Sequence, residues 1–407
     1  MLLAILGQVL PFWPYAESDQ PATALEKLPA GFPPGYTAAE NRRAQGLDQA
    51  LFWGDLATGV STALALGVLL ISGLPEWVGA RTGPGLRAWL LRFLFLVALF
   101  LGIKLLGMPY LYSRFRYGRA LGLNSLADTQ WLSLVLIGLA VPMTLFVLKY
   151  VMLICMLPLA RRFWWLAAAL GFFLVGLAPE VISRTQPLDP VEKLRPLPPG
   201  EHFDALQAVL NKANLKLPLW MLDQSRRSKA ADICLTGQPG REYVLLTDTF
   251  LQKYTAGEAA LAFAHELGHY RHRTMARLLR HAMSLASLLL GFGLAFQLAG
   301  RQALPVTSGP KVVLLTMFSL LIAGRCLGPI SLALGRWDER LADRYALQLG
   351  ADRTEFSSLL LKVARQELEP LDMPGWRYYL WADHPTILER MAEAKASGPR
   401  ADRAGAF

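Results

Sequence analysis

The stretch His265-Glu266-Leu267-Gly268-His269 decides how the rest of this chain is interpreted. Two histidines four positions apart on a helix lie one above the other on the same face, so both imidazole rings can reach one metal ion. The glutamate between them can reach a water on the open side of that ion without binding the ion itself. The spacing matches the H-E-x-x-H pattern, which supplies two zinc ligands and a general base within five residues.

The alternative to a metal site is an amphipathic helix whose two histidines are merely solvated. The surrounding sequence favours the metal. Thr255-Ala256-Gly257-Glu258 predicts a capping box that starts a helix just before Ala259. The run 259–264, Ala-Ala-Leu-Ala-Phe-Ala, is apolar on nearly every side and indicates that His265 is buried. Because a buried histidine pair needs a partner, we expect one zinc ion per chain at this site.

The composition indicates a membrane protein. The chain has 407 residues, of which 53% are hydrophobic and 18% charged, and its mean hydropathy of +0.32 is too high for an ordinary soluble protein. Much of the net charge of +10 lies near the ends of hydrophobic runs, as at membrane margins. No basic patch with interleaved aromatic residues occurs, so we expect no nucleic-acid partner. The three cysteines have no paired spacing, so neither a disulfide framework nor a cysteine zinc site is indicated.

Hydrophobic runs long enough to cross a bilayer recur along the chain, since a crossing takes about 20 helical residues. They lie at about 56–74, 88–107, 131–157, 163–179, 281–296 and 311–335. Pro142 predicts a tilt or a kink in the third. Residues 1–15 are apolar but short, and are either a further span or a cleaved signal peptide. The polar, proline-rich segment 16–52 predicts a loop, and the aromatic and basic segment 107–130 predicts an interfacial hairpin.

These runs divide the chain into four parts. Residues 1–179 hold the N-terminal transmembrane helices, 180–280 the first part of a zinc metalloprotease domain, 281–335 a transmembrane hairpin, and 336–407 the rest of the protease domain. The predicted fold is therefore mostly α, a polytopic transmembrane helical bundle with an inserted α+β zincin-like domain. Alternation of the spans puts 180–280 on the side that holds the basic clusters, which predicts the cytoplasmic side.

A helix and a small sheet are predicted within the water-compatible region. Residues 202–215 have helical periodicity, and three short apolar runs at 218–222, 233–236 and 243–247 predict strands. A strand just before a zinc helix commonly offers its edge to an extended peptide, whose main chain adds as another strand.

Two histidines leave zinc under-coordinated, because a hydrolytic site takes three protein ligands and a water. Glu339 is a better candidate than the four remaining histidines. It begins Glu339-Arg340-Leu341-Ala342-Asp343, just past the last hydrophobic run, where we expect a helix to open. Asp343, one turn further on the same face, can accept the ring N–H of a zinc-bound histidine. The alternative is an acidic pair favoured by the dipole at a helix start.

HELGH, followed about seventy residues later by ERLAD across a two-span hairpin, resembles the integral-membrane zinc metalloproteases of the CAAX prenyl protease 1 type. The segments 223–237 and 241–251 are similar to family segments, as is the loop LGLN at 121–124. His384-Pro385, with Arg390 six residues on, is similar to the family's C-terminal His-Pro segment.

The resemblance departs at one place. Asp232-Ile233-Cys234 stands where the family usually has Asn-Ala-aromatic, close to the substrate. The substrate therefore stays open, whereas the protease chemistry does not depend on this segment.

The motifs and the resemblance together imply a set of site residues. The zinc ligands are His265, His269 and Glu339, and the catalytic residues are Glu266, His384, Asp343 and Arg390. By the resemblance, His384 would hydrogen-bond the tetrahedral oxyanion or the substrate backbone, and the alternative is a helix-capping histidine after a loop. Arg390 would orient neighbouring carboxylates or the substrate.

The predicted function is a membrane-embedded zinc endopeptidase, similar to CAAX prenyl proteases, with Glu266 as the general base. Its partners are the bilayer and a peptide or protein substrate, with lipid-modified and membrane-associated proteins among the options. We expect it in the inner membrane of a bacterium, or the endoplasmic reticulum of a eukaryote. A heat-shock-type quality-control zinc protease and a zinc-bearing membrane scaffold are alternatives. A transporter is another, because Arg325 lies mid-span and should face the bundle interior or a water-filled cavity.

Overall fold

The computed structural model describes residues 36–81, 85–120, 124–159, 162–185, 194–225, 231–238, 240–301, 309–350 and 352–396. Some of the predictions lie outside these residues: the apolar segment 1–15, the C-terminal tail from 397, residues 121–123 of the LGLN loop, and Arg227 and Ser228 in the segment 223–237.

Most of the described residues are helical. The N-terminal half contains α1 (Ala38–Ile71), α2 (Leu74–Arg81), α3 (Leu86–Ala120), α4 (Asp128–Gly138), α5 (Ala140–Leu159) and α6 (Trp164–Thr185). Two further long helices, α9 (Ala256–Arg301) and α10 (Gly309–Gln348), follow the small sheet. Within the described chain, six helical segments are long and apolar enough to cross a membrane. The predicted multi-span architecture is confirmed.

The predicted loop at 16–52 is wrong from Ala38 onward, because α1 begins there. A capping box starts this helix: Thr37 N donates to Glu40 Oε2 (2.7 Å), and Glu40 N donates to Thr37 Oγ1 (3.2 Å). The polar first turns of α1 contact the protease region, since Arg365 Nε donates to Glu40 Oε1 at 2.9 Å. Polar residues here mark a helix that lies against another polar surface.

The predicted interfacial hairpin at 107–130 is also too long. Helix α3 continues through Pro109 to Ala120, and α4 begins at Asp128. Asp128 ties the turn together by pairing with Arg119 (2.6 Å) and Arg116 (3.2 Å). The basic residues of this segment therefore lie on the last turns of a helix.

Pro142 acts on the third hydrophobic run as expected. The helix is interrupted between Gly138 and Ala140, where Leu139 N bonds the carbonyl of Leu136 instead of continuing the regular pattern. Proline clashes with the carbonyl four residues earlier, which here belongs to Gly138. The break separates α4 from α5.

The water-compatible region forms a four-stranded sheet with helices around it. Its elements are β1 (Leu194–Pro196), α7 (Glu201–Lys212), β2 (Leu219–Leu222), β3 (Ile233–Gln238), β4 (Arg241–Thr247), α8 (Asp248–Lys253), α11 (Arg353–Glu367), α12 (Gly375–Trp381) and α13 (Ile387–Ala396). The strand order is β1-β2-β4-β3, in which only the β2–β4 pair is parallel. The predicted helix and three strands are present, and β1 adds a fourth strand.

The described residues contain two large apolar cores and a smaller cluster around Tyr110 and Tyr117. One contains Leu206, Leu246, Phe263 and Phe356, and packs the sheet against α7, α9 and α11. The other contains side chains of the membrane helices and includes Phe292, on the second half of α9. Helix α9 therefore runs from the peptidase core into the membrane bundle as one continuous element.

The expectation that a helix opens at Glu339 is wrong. Glu339 lies near the end of α10, which is unbroken from Gly309 to Gln348. A hydrophobic run ends where the membrane ends, but the helix continues because nothing in the sequence there stops it. The dipole at a helix start cannot explain the acidic residues, since they lie far from that start.

Candidate metal centre

Helix α9 is anchored at its start by the predicted capping box. Thr255 N donates to Glu258 Oε2 (2.9 Å), and Glu258 N donates to Thr255 Oγ1 (3.2 Å). Glu258 is buried and also accepts from Lys362 (2.6 Å) and Ser358 (2.9 Å) of α11. These contacts fix the rotation of the helix two turns before His265.

The three predicted ligands converge on one point. Donor atoms of His265, His269 and Glu339 all lie within 4.8 Å of one another. The two Nε2 atoms are 3.1 Å apart, and they lie 3.4 Å and 3.2 Å from the Glu339 carboxylate oxygens. Ligand atoms about 2.05 Å from one tetrahedral ion are ~3.3 Å apart, so the spacing suits an ion of the size of zinc.

Asp343 supports the first histidine. Its Oδ1 lies 2.8 Å from His265 Nδ1, the ring nitrogen that faces away from Glu339. Arg390 donates to the same carboxylate through Nε (2.8 Å) and Nη2 (2.6 Å). A proton on Nδ1 leaves the Nε2 lone pair free for a metal ion.

Glu266 and His384 share a cleft with the three ligands. The cleft has a volume of about 410 Å³ and also includes residues before β3. His384 is half exposed, and its Nε2 lies 3.3 Å from Glu339 Oε1. Its hydrogen bond to Asp383 (2.8 Å), together with Glu339, raises the pKa of the His384 ring to about 10. A metal ion on Glu339 would oppose that shift, because it would neutralise the carboxylate.

The part of the chain that carries this site matches a known peptidase family. The model of peptidase family M48 matches residues 201–397. The chain is 27% identical over 239 residues to the probable CAAX prenyl protease 1 of Schizosaccharomyces pombe, covering 56% of this chain and 48% of that protein. It is 24% identical over 358 residues to the uncharacterized metalloprotease YhfN of Bacillus subtilis, covering 81% and 79%. The crystal structure of S. mikatae Ste24p has the same fold, with a TM-score of 0.69 at 17% identity over 96% of this chain and 97% of that one.

Residues 201–397 match peptidase family M48, and the whole chain is similar to membrane metalloproteases of the Ste24 type. The matched part spans about half the length of the fission yeast relative. The likeness to Ste24p covers the N-terminal membrane helices as well as the peptidase region, so the comparisons do not favour the heat-shock-type and scaffold alternatives. The predicted family, fold class and integral multi-pass membrane character are confirmed.

The edge of the four-stranded sheet that faces the cleft belongs to β3. The strand directly before the metal-binding helix, β4, pairs with β2 on one side and β3 on the other, so its edge is not available. Asp232 and Ile233 line the cleft at the start of β3. The expectation that the strand just before the metal-binding helix offers its edge is therefore wrong. That strand is β4, which lies inside the sheet because it pairs with β2 and with β3.

Two acidic residues that sequence analysis missed lie close to this centre. Asp338 Oδ2 is 3.3 Å from His269 Nδ1, and Glu369 lines the cleft. Burial raises the pKa of the Glu369 carboxyl. Asp338 directly precedes Glu339, and no local pattern indicates its contact. Glu369 follows Leu368, which has a left-handed backbone conformation at the end of α11. Helical spacing therefore does not predict where the Glu369 side chain lies.

Two other histidines have partners elsewhere. His202 Nε2 lies 2.8 Å from the carbonyl of Tyr254, and His281 lies 3.2 Å from Glu180. Arg325, predicted to face the bundle interior or a water-filled cavity, donates to Asp55 of α1 at 3.0 Å. Among the described residues, the group of His, Cys, Asp or Glu side chains that could hold a metal ion is His265, His269 and Glu339.

Proposed function

We propose that this Ste24-type protein is a zinc-dependent endopeptidase that cleaves peptide bonds in the cleft between β3, α9 and α10. The observation that carries the proposal is the convergence of His265, His269 and Glu339 within 4.8 Å, beside the carboxylate of Glu266. Zinc bound to these residues would polarise the scissile carbonyl and lower the pKa of its water to about 7.

Glu266 acts as the general base. It follows the first ligand directly and lines the cleft, so its carboxylate faces the space where a water would attack. It takes a proton from that water and later delivers it to the leaving amine. His384 lines the same cleft beside Glu339, and it donates an N–H to the oxyanion that develops on the scissile carbonyl.

Asp343 and Arg390 position the ligands. The Asp343 carboxylate holds the proton on His265 Nδ1, and Arg390 holds that carboxylate through two hydrogen bonds. The side chains of both residues are about one-tenth exposed, so this network is shielded from water.

The free edge of β3 binds the substrate main chain. A peptide that adds to this edge would run past Asp232 and Ile233 into the cleft. Peptides bound as an added strand are recognised mainly through their backbone, so pockets beside the scissile bond set the sequence preference. Some relatives carry the name CAAX prenyl protease 1, and we propose a membrane-associated or lipid-modified protein as the substrate.

We place the active site on the cytoplasmic side of the membrane. Arg273 of α9 donates to Glu242 of β4 at 3.0 Å, and Tyr117 at the basic end of α3 belongs to a cluster against which Leu368 packs. Both groups of basic residues therefore lie toward the peptidase region, and cytoplasmic margins carry such an excess. Alkaline phosphatase, which is active only outside the cytoplasm, should be inactive when fused after residue 396. A fluorescent protein fused at the same place should be bright. The reverse pattern would contradict this orientation.

The function is tested by substituting Glu266 with Gln. The Glu266→Gln variant should keep zinc at about one ion per chain and the wild-type thermal stability, but should lose cleavage of internally quenched peptides. Glu201→Gln, on an exposed position of α7, is the matched control. Cleavage retained by Glu266→Gln would contradict the assigned general base. Proteins that remain bound to the inactive variant, identified by mass spectrometry, would show which substrates enter the cleft.

A further inference from the structure

The two ligand histidines have similar arrangements of carboxylates around them. Each directs its Nε2 toward Glu339 and its Nδ1 toward a second carboxylate. For His265 that carboxylate is Asp343, at 2.8 Å, and for His269 it is Asp338, at 3.3 Å. Asp338 directly precedes the ligand Glu339 in the sequence.

Asp338 is largely buried, although it is a charged residue. Its side chain is only 17% exposed, and its Oδ1 is buried with no hydrogen-bond partner among the described residues. A buried carboxylate costs free energy unless a charge or hydrogen bond compensates it. The ring of His269 is the group that its Oδ2 faces.

We infer that Asp338 is a positioning residue that holds His269 in the tautomer that binds metal, as Asp343 does for His265. The inference rests on the proposed zinc site. The 3.3 Å separation lies just beyond the usual N–H···O hydrogen-bond range of about 2.7–3.2 Å. A carboxylate at Nδ1 orients the ring and raises the basicity of Nε2.

The charges of the site give Asp338 a second role. Arg390 compensates Asp343 through two hydrogen bonds. Zinc with two neutral histidines and the Glu339 carboxylate carries a net charge of one positive unit. No lysine or arginine forms an ion pair with Asp338 within the described part of the chain, so its carboxylate adds negative charge beside the site for the cation. Removing that carboxylate should weaken the attraction of the site for a metal ion.

The experiment measures zinc affinity rather than peptide cleavage. Purified wild-type, Asp338→Asn, Asp338→Ala and Asp338→Glu proteins are equilibrated in a series of chelator-buffered zinc solutions, and bound zinc is determined. We expect the Asn and Ala variants to bind zinc about 10- to 100-fold more weakly, with Glu restoring most of the affinity. Asp204→Asn, on an exposed position of α7, is the matched control and should bind as the wild type does.

Cobalt spectra separate positioning from a structural effect. Cobalt(II) in the site should show a shifted visible absorption band in Asp338→Asn, because the orientation of one histidine ligand changes. Thermal unfolding of the metal-free variants shows whether they are folded. If the Ala variant does not fold, the near-isosteric Asn variant alone tests the role of Asp338. Zinc affinity and cobalt spectra equal to those of Asp204→Asn would overturn the inference alone. A wild-type protein that binds no zinc would overturn both the inference and the proposed function.

Discussion

Gly268 and Ala342 bring the two metal-binding helices into backbone contact. A methyl group at Gly268 would lie 2.6 Å from Ala342 Cα and 3.0 Å from its carbonyl oxygen. Gly268 is the fourth residue of HELGH, and Ala342 is the fourth residue of ERLAD. Because α9 carries the histidines and α10 carries Glu339, this contact sets the distance between the ligands.

Substitution of Gly268 with Ala should damage the metal site. The new methyl group meets backbone, which cannot move aside without shifting α10, and overpacking of this kind costs about 1–3 kcal/mol. We expect a lower melting temperature in detergent and weaker zinc binding, measured by thermal unfolding and chelator competition. Gly300→Ala on the same helix has open space and serves as the control. Normal zinc affinity in Gly268→Ala would contradict the role of this contact.

Gly59→Ala should be tolerated, although the new methyl group would come as close to a neighbouring atom as the one at Gly268. A methyl group there would lie 2.6 Å from Arg325 Nη2, the far end of a flexible side chain. The guanidinium can move by a few tenths of an ångström and keep its pair with Asp55. Alanine is favoured over glycine in a helix by about 1 kcal/mol, so the melting temperature should be unchanged or higher. A large destabilisation would show that Arg325 is held rigidly.

The local part of the site could be predicted from the sequence because it depends on helical spacing alone. His265 and His269 are one turn apart, and the capping box at Thr255 fixes where their helix begins. Glu339 and Asp343 could be paired with them because acidic residues at that spacing supply what the site lacks. The histidine pair needs only the geometry of a single helix, whereas Glu339 was assigned because zinc needs a third protein ligand.

The contacts that sequence reasoning missed depend on how elements pack. Asp338 reaches His269 only because α10 has a particular rotation against α9. Among the described strands β3 is an outer one and β4 lies inside because it pairs with both β2 and β3, and this pairing is non-local information. The start of α1 was missed because polar residues that face the peptidase region look like a loop, although Glu40 has a partner in Arg365.

Asp343 and Arg390 should be energetically coupled. Their side chains are 8% and 11% exposed, and removal of one partner from a buried pair costs about 3–5 kcal/mol. Arg390→Gln leaves the Asp343 carboxylate without its ion-pair partner. The substitution should therefore destabilise the wild-type protein more than it destabilises the Asp343→Asn variant. A double-mutant cycle in thermal or denaturant unfolding should give a coupling of about 0.5–3 kcal/mol. Additive effects would show that the two residues act separately.

His384 should be needed for turnover but not for zinc. Its Nε2 lies 3.3 Å from Glu339 Oε1, beside the ligands, and it is half exposed toward the cleft. Loss of one donor to a developing oxyanion lowers kcat by about 10²- to 10³-fold, so His384→Ala should show a fall of that size with little change in KM. His384→Gln, which keeps an N–H donor, should recover part of the rate, and Asp372→Asn in the loop before α12 is the control. Zinc content should stay at the wild-type level in both His384 variants. Loss of zinc from His384→Ala would instead make His384 a ligand, and an unchanged kcat would remove it from the reaction.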